Sequence, residues 1–252
     1  MLVIRKEQVE AFKSASDADF ERRLLLRLSE PFPRCKEIHG EAALTAMVRL
    51  GLERAHKLGL EREDDILRYL WTMLLLGSEF GTDPQLSWAT AALTTPESLP
   101  PAQRVAVLWE QAQAYRRRVM GPDDGLYVAA LRSIEGKTVE DLTKLASRSQ
   151  RDLLMQLVTL FPQKFKEVGE QAFSDLTRLA IEACRPYEML DRWAVVLMVE
   201  LMFLFGAGIM SDPLTAWARE ALKKESSAEI DRKLGALLKA AHGCIEKLVA
   251  AH

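Results

Sequence analysis

Cys35 and His39 stand four residues apart, a spacing that puts a thiol and an imidazole on one face of a helix, and together they are half of a tetrahedral zinc set. The run Arg62-Glu63-Asp64-Asp65 offers three carboxylates to a divalent cation. Neither group is completed nearby. No second Cys/His pair stands at ligand spacing, and carboxylates in the first turn of a helix are what the helix dipole favours in any case. His56 lies toward the end of a helix, where positive charge is favourable, and His242 and His252 lack a neighbouring Ser or Cys with an acidic orienter. There is no glycine-rich phosphate loop, no H-E-x-x-H and no G-x-S-x-G. The sequence therefore predicts no catalytic residue, no metal site and no cofactor, and a non-enzymatic protein.

Bulk properties narrow the class further. Of 252 residues, 48% are hydrophobic and 28% charged, and the net charge is -2. Basic and acidic residues balance in both halves, so a nucleic-acid footprint is not expected. The run Arg116-Arg117-Arg118 fits a helix C-terminus, where cations meet the negative end of the dipole. Three scattered cysteines (Cys35, Cys184, Cys244) with no C-x-x-C point to a reducing compartment, and no signal-peptide pattern opens the chain. A cytoplasmic location is the expectation. Residues 193–210 are apolar except for Glu200 and come close to spanning length, but a carboxylate in mid-span is costly.

The elements that would position any site repeat. Shifted by 129 positions, Arg22–Leu93 falls ungapped on Arg151–Leu222, with about 21 of 72 positions identical. Phe32-Pro33 falls on Phe161-Pro162, Gly40 on Gly169, Gly77 on Gly206, Asp83-Pro84 on Asp212-Pro213, and Trp88-Ala89 on Trp217-Ala218. A period this long signals a domain-sized duplication. Strand signals are absent and apolar residues recur at helical spacing. The fold class expected is all-α, a tandem duplication of a four- to five-helix unit, with a first repeat over 1–120, a linker over 121–137 and a second repeat over 138–252. In the first repeat, helices are expected over 6–30, 34–58, 62–76 and 101–118. In the second they are expected over 138–160, 163–185, 189–205 and 227–249. Thr138 reads as an N-cap ahead of Asp141.

Asp83 is a favourable N-cap, Pro84 suits the first helical position, and Trp88 lies one turn on as a packing anchor; Asp212, Pro213 and Trp217 repeat the arrangement. The third helix of the second repeat, apolar nearly all round, reads as a buried core helix and not a membrane span, because its twin "EREDDILRYLWTMLLLG" is an ordinary amphipathic helix. Its enclosure is expected from the other repeat or from a partner chain. Trp88, Trp217, Met198, Met202 and Met210 are the candidate partner-binding residues. The methionines are included for their adaptable side chains, although core packing is their ordinary role.

The first repeat, over residues 3–118, resembles a small helical family found in bacterial type VI secretion loci beside spike-tip (PAAR) proteins and polymorphic toxins. The residues that carry the resemblance are Phe12, Phe32-Pro33, "LGLERAHKLGLEREDDILRY" at 50–69 and "LLLGSEFGTDPQLSWA" at 74–89. The second repeat departs from it, with Ala180, Glu188, Met198 and Ile209 at the positions of Gly51, Gly59, Tyr69 and Phe80. The resemblance implies a protein-binding module of a toxin-delivery system. It would act as an effector adaptor or chaperone, or as a toxin-neutralising immunity protein, its partner a secreted toxin or spike protein. Near-neutral charge favours the adaptor role. A self-associating helical scaffold, forming a homo-oligomer, and a small-ligand-binding protein are the alternatives.

Overall fold

The computed structural model describes residues 6–94, 99–146, 150–225 and 228–251. Among them the chain forms α-helices and short 3-10 turns, and no strand. In the first half these are α1 (Lys6–Arg27), α2 (Cys35–His39), α3 (Glu41–Lys57), α4 (Glu63–Leu76), a 3-10 turn at Pro84–Leu86, α5 (Ser87–Thr94) and α6 (Pro101–Met120). A short α7 (Gly125–Glu135) follows a 3-10 turn at Pro122–Asp124. The second half holds α8 (Val139–Ala146), α9 (Gln150–Leu160), α10 (Pro162–Cys184), α11 (Arg192–Phe205), a 3-10 turn at Pro213–Thr215, α12 (Ala216–Lys224) and α13 (Ile230–Ala250).

Most expected elements are found, with local differences that have physical causes. The helix expected over 34–58 is broken at Gly40, whose φ of 78° no helix accommodates, and α10 carries the same kink at Gly169, φ 77°. Residues 147–149 of the helix expected over 138–160, and residue 227 of that expected over 227–249, lie outside the described residues. Thr138 does form a reciprocal cap with Asp141: the Asp141 carboxylate accepts from the Thr138 amide at 3.0 Å and hydroxyl at 2.7 Å, and the Asp141 amide donates to Thr138 Oγ1 at 3.2 Å. Ten of the fourteen residues of α11 are buried. They are enclosed by α8, α9 and α10 of the same half, so α11 is a core helix. No described helix is long and apolar enough to cross a membrane.

One continuous core runs from Leu24 to Ile245 through both halves. Elements 129 positions apart share their bounds: α4 and α11, the turns at Pro84 and Pro213, and the starts of α6 and α13. Contacts between the halves are reciprocal as well. The turn at Pro213–Thr215 packs on α3 and that at Pro84–Leu86 on α10, while α6 meets α10 and α13 meets α2.

At the centre of this seam each aspartate cap serves two loops. Asp83 Oδ1 accepts from the Gln85 amide at 2.9 Å, and its Oδ2 accepts from the Ala207 amide of the other half at 2.8 Å. Asp212 Oδ1 accepts from the Leu214 amide at 2.8 Å, and its Oδ2 from the Ser78 amide across the seam at 2.6 Å, with the Ser78 hydroxyl donating to Oδ1 at 2.9 Å. Both carboxylates are buried, at 4% and 3% exposure, so these N–H donors replace the water they have lost. Gly77 and Gly206, which end α4 and α11, both hold a backbone conformation that favours glycine, and at Gly77 space is tight as well. Their φ values are 91° and 97°, and a Cβ would stand 3.3 Å from Asp212 Oδ2 and 3.4 Å from Asp83 Oδ2.

Replacing either aspartate removes a cap and strands a buried amide of the opposite half. Asp83→Ala and Asp212→Ala are each expected to cost about 2–4 kcal/mol. Urea unfolding followed by circular dichroism checks this, and a loss under ~1 kcal/mol would mean that water replaces the carboxylate without penalty.

Candidate functional site

The seam is not filled. A half-open cleft of about 370 Å³ lies between the halves, walled by α2, the ends of α4 and α11, both aspartate turns, and the C-terminal parts of α6 and α13. Its lining draws residues of the same register from both sides, including Phe32 with Phe161, Leu75 with Leu204, and Tyr115 with Cys244. Aromatic edges stiffen the walls: Phe161 meets Phe203 at 6.4 Å, and Phe32 meets Trp109 at 6.4 Å.

Helix-end chemistry accounts for most of the polar groups here. The last carbonyls of α11 lack a full helical ladder: the Gly206 amide donates to the Met202 carbonyl, and side chains add to it. Gln85 Nε2 donates to the Met202 carbonyl at 3.0 Å, and the Lys164 ammonium donates to the Phe203 carbonyl and stands 5.2 Å from the Phe203 ring centre. A cation at a helix C-terminus is well placed for the dipole. Burial nonetheless pushes Lys164 down to about 8, a fall that the Asp83 charge moderates. At the matching position of the first half stands Cys35.

Cys35 and His39 both line the cleft, one turn apart on α2. They do not form a couple for metal or thiol chemistry. Burial raises the Cys35 thiol, which leaves it protonated and a poor ligand or nucleophile at neutral pH. Burial lowers His39, against the opposing pull of the Leu214 backbone and Asp212, so its ring is neutral. Cys244 is pushed up to about 11, again by burial. Among the described residues no group of three or more His, Cys, Asp or Glu is placed to hold a metal ion. The acidic run at 62–65 is spent on structure: Glu63 and Asp64 pair with Arg27 at 3.3 and 3.0 Å, and Asp65 pairs with Arg68 at 2.7 Å.

Two polar groups in the cleft wall are left over. The Tyr115 hydroxyl and Gln85 Oε1 are buried without a hydrogen-bond partner. Burial holds the Tyr115 phenol far above its ordinary range, so it is a neutral donor and acceptor, not a base. The cleft thus has largely apolar walls, Asp83 and Asp212 committed to backbone amides, Lys164 committed to a carbonyl, Arg116 paired with Asp124 and Arg34 with Glu37, and an unused hydroxyl beside the unused Gln85 Oε1. That arrangement suits binding more than proton transfer.

The residues singled out for partner binding are dispersed. Trp88 meets Tyr115 in a tilted contact at 5.6 Å and Trp217 packs edge-on against Phe205 at 5.6 Å, so both buttress the cleft from behind its lining. Met198 and Met202 are 0% and 2% exposed and belong to the core. They present no surface to a partner, because a helix apolar all round is here surrounded by its own chain. Met210 is half-buried, and its carbonyl accepts from Arg219 at 3.3 Å. Sequence reasoning missed Lys164 and Tyr115. Lys164 carried a faint signal, a lysine at the register of the buried Cys35, whereas Tyr115 carried none.

Lys164 supplies a pH test. Its folded pKa lies below its unfolded value, so between about 8 and 10.5 the unfolded chain holds a proton the folded chain has lost, and stability rises with pH. Relative to Lys164→Met, the parent is expected to gain stability across that window with a slope approaching ~1.4 kcal/mol per pH unit. Urea unfolding at pH 7, 8.5 and 10 checks it; a flat difference would place the ammonium in water. No family model matches the chain, and neither does any curated protein or solved structure.

Proposed function

We propose that the chain is a non-enzymatic protein-binding module of a toxin-delivery system, acting as an adaptor or chaperone that receives part of a toxin or spike protein in its seam cleft. The observation that carries the reading is the cleft itself: largely apolar walls, charged groups already paired within the chain, and the Tyr115 hydroxyl without a partner. An apolar side chain flanked by a free backbone carbonyl is the complement of such a surface. Apolar anchors in a desolvated pocket dominate protein interfaces, and one buried polar group fixes their register. The resemblance of the first repeat supports a toxin or spike protein as the class of partner. The near-neutral chain favours loading over neutralising a basic nuclease toxin.

The same reading takes the two halves as a tandem duplication, residues 1–120 and 138–252 joined by 121–137. It is supported by the sequence match at a shift of 129, the shared element bounds and the reciprocal seam. An isologous contact of this kind is how two identical units associate. The seam then descends from the interface of a dimer, and the cleft from the gap left on its axis.

Co-expression with candidate toxin and PAAR spike-tip proteins from type VI secretion loci tests the function. One of them is expected to co-purify in near-equal amount. Ile38→Trp, which fills the cleft from its wall, should weaken that binding at least about tenfold, and Tyr115→Phe by several-fold, as loss of one hydrogen bond implies. Absence of both partners from the purified protein, or parental affinity in both variants, would sink the reading. Rescue of toxin-poisoned cells by the chain would assign immunity in place of loading.

A further inference from the structure

A second, half-open cavity lies in the second half, away from the seam. It has a volume of about 570 Å³ and is walled by α9, α10 and α11, chiefly through Leu157, Phe173, Ile181, Val195, Val196 and Val199. Register explains its presence. Where α4 of the first half has Ile66, Leu67, Leu70 and Trp71, α11 has Val195, Val196, Val199 and Glu200, each smaller than its counterpart. Two changes run the other way. Phe173 stands for Leu44, and Ala180 stands for Gly51, where a Cβ would meet Leu70 Cδ2 at 2.2 Å. They do not close the space.

The polar groups in this apolar chamber are unevenly used. Glu200 is 1% exposed. Its Oε1 accepts from the Lys137 ammonium at 2.6 Å and from the Gln156 amide, yet its Oε2 is buried with no partner, as is Gln156 Oε1. A buried ion pair formed only for stability would leave neither acceptor empty, because an orphaned buried acceptor costs about 1–3 kcal/mol and more on a charged group. Glu200 and Gln156 both line the cavity. Two acceptors with no donor, at an apolar chamber, describe the complement of a ligand's head group.

We propose that the second half holds a binding site for a small neutral amphiphile, whose apolar body lies between α10 and α11 and whose hydroxyl or primary-amide head donates to Glu200 Oε2 and Gln156 Oε1. Neutrality follows from charge. At the head-group end Lys137 already balances Glu200, so a cationic head gains little there and an anionic head meets the carboxylate; Arg192 also lines the cavity, but from the exposed first residue of α11, about two helical turns from Glu200. The exposed Leu190 on the cavity wall continues the apolar lining outward to solvent. This site shares no lining residue with the seam cleft and is independent of the protein partner.

Titration of the full chain with 1-nonanol, followed by calorimetry and by amide chemical shifts, tests the site, with nonanoate and nonylamine as matched probes. Nonanol should bind one to one, about tenfold or more tighter than nonanoate, with shifts concentrated on α9, α10 and α11. Val196→Phe should reduce its affinity about tenfold or more. Glu200→Gln, which keeps the shape and removes the charge, should weaken nonanol several-fold and turn the preference toward nonanoate, since Lys137 is then unbalanced. No saturable binding of nonanol, or shifts centred on the seam, would overturn the site. Parental selectivity in Glu200→Gln, or a tighter complex with nonylamine than with nonanol, would overturn the head-group assignment.

Discussion

The exchange of aspartate caps across the seam is the constraint on which the rest of the molecule depends. An N-cap aspartate ordinarily spends its carboxylate on the amides of its own first turn. Here Asp83 and Asp212 each keep one oxygen for that purpose and give the other to an amide that follows the opposite half's long helix. Two buried carboxylates of like sign sit at one seam and remain tolerable because each is surrounded by oriented N–H groups, with the Lys164 ammonium adding positive potential beside Asp83. The turn that brings each amide to the opposite carboxylate needs a positive φ at 77 and 206, which glycine adopts without strain. The ends of α4 and α11 are thereby fixed, and with them the walls of the cleft.

Reciprocity at the seam coexists with asymmetry one shell further out. Both α4 and α11 end in a glycine whose amide donates to the helix, at Met73 and Met202. Only the second of these carbonyls also receives a side chain, from Gln85, while the next, Phe203, is served by Lys164. Leu214 and Cys35 stand at the registers of those two residues and have no such donor to offer. The cleft is therefore polar toward α11 and thiol-lined toward α4. A ligand entering it would be oriented by that difference, with the unused Tyr115 hydroxyl as a further mark of direction.

Much of this was legible in the chain. The caps at Asp83, Asp212 and Thr138, the helical class and the burial of α11 follow from local rules, since capping, periodicity and all-round apolarity are properties of neighbouring residues. The break at Gly40 was not read, because a glycine inside a periodic run is compatible with either a helix or a kink until its φ is known. The second oxygen of each aspartate was invisible for a different reason. A local cap and a shared cap require the same residue at the same place. The methionines misled because flexible apolar side chains serve cores and adaptable surfaces equally well. Tyr115 and Lys164 acquire meaning only through what lies beside them, and those neighbours are contributed by elements far away in sequence.

Differences between the halves then fall into a pattern. Gly77, Asp83, Pro84 and Trp88 recur unchanged at 206, 212, 213 and 217, and each takes part in the seam or braces it. The contacts at the seam are reciprocal, so a change on one side strands a group on the other. No such coupling acts on the faces of α4 and α11 turned away from the seam, where Trp71 and Glu200 occupy one register. There a bulky residue can give way to a carboxylate without disturbing the lock, provided that a lysine is at hand, and Lys137 is. The seam thus holds the two halves to one geometry while leaving each interior free to carry a different cavity.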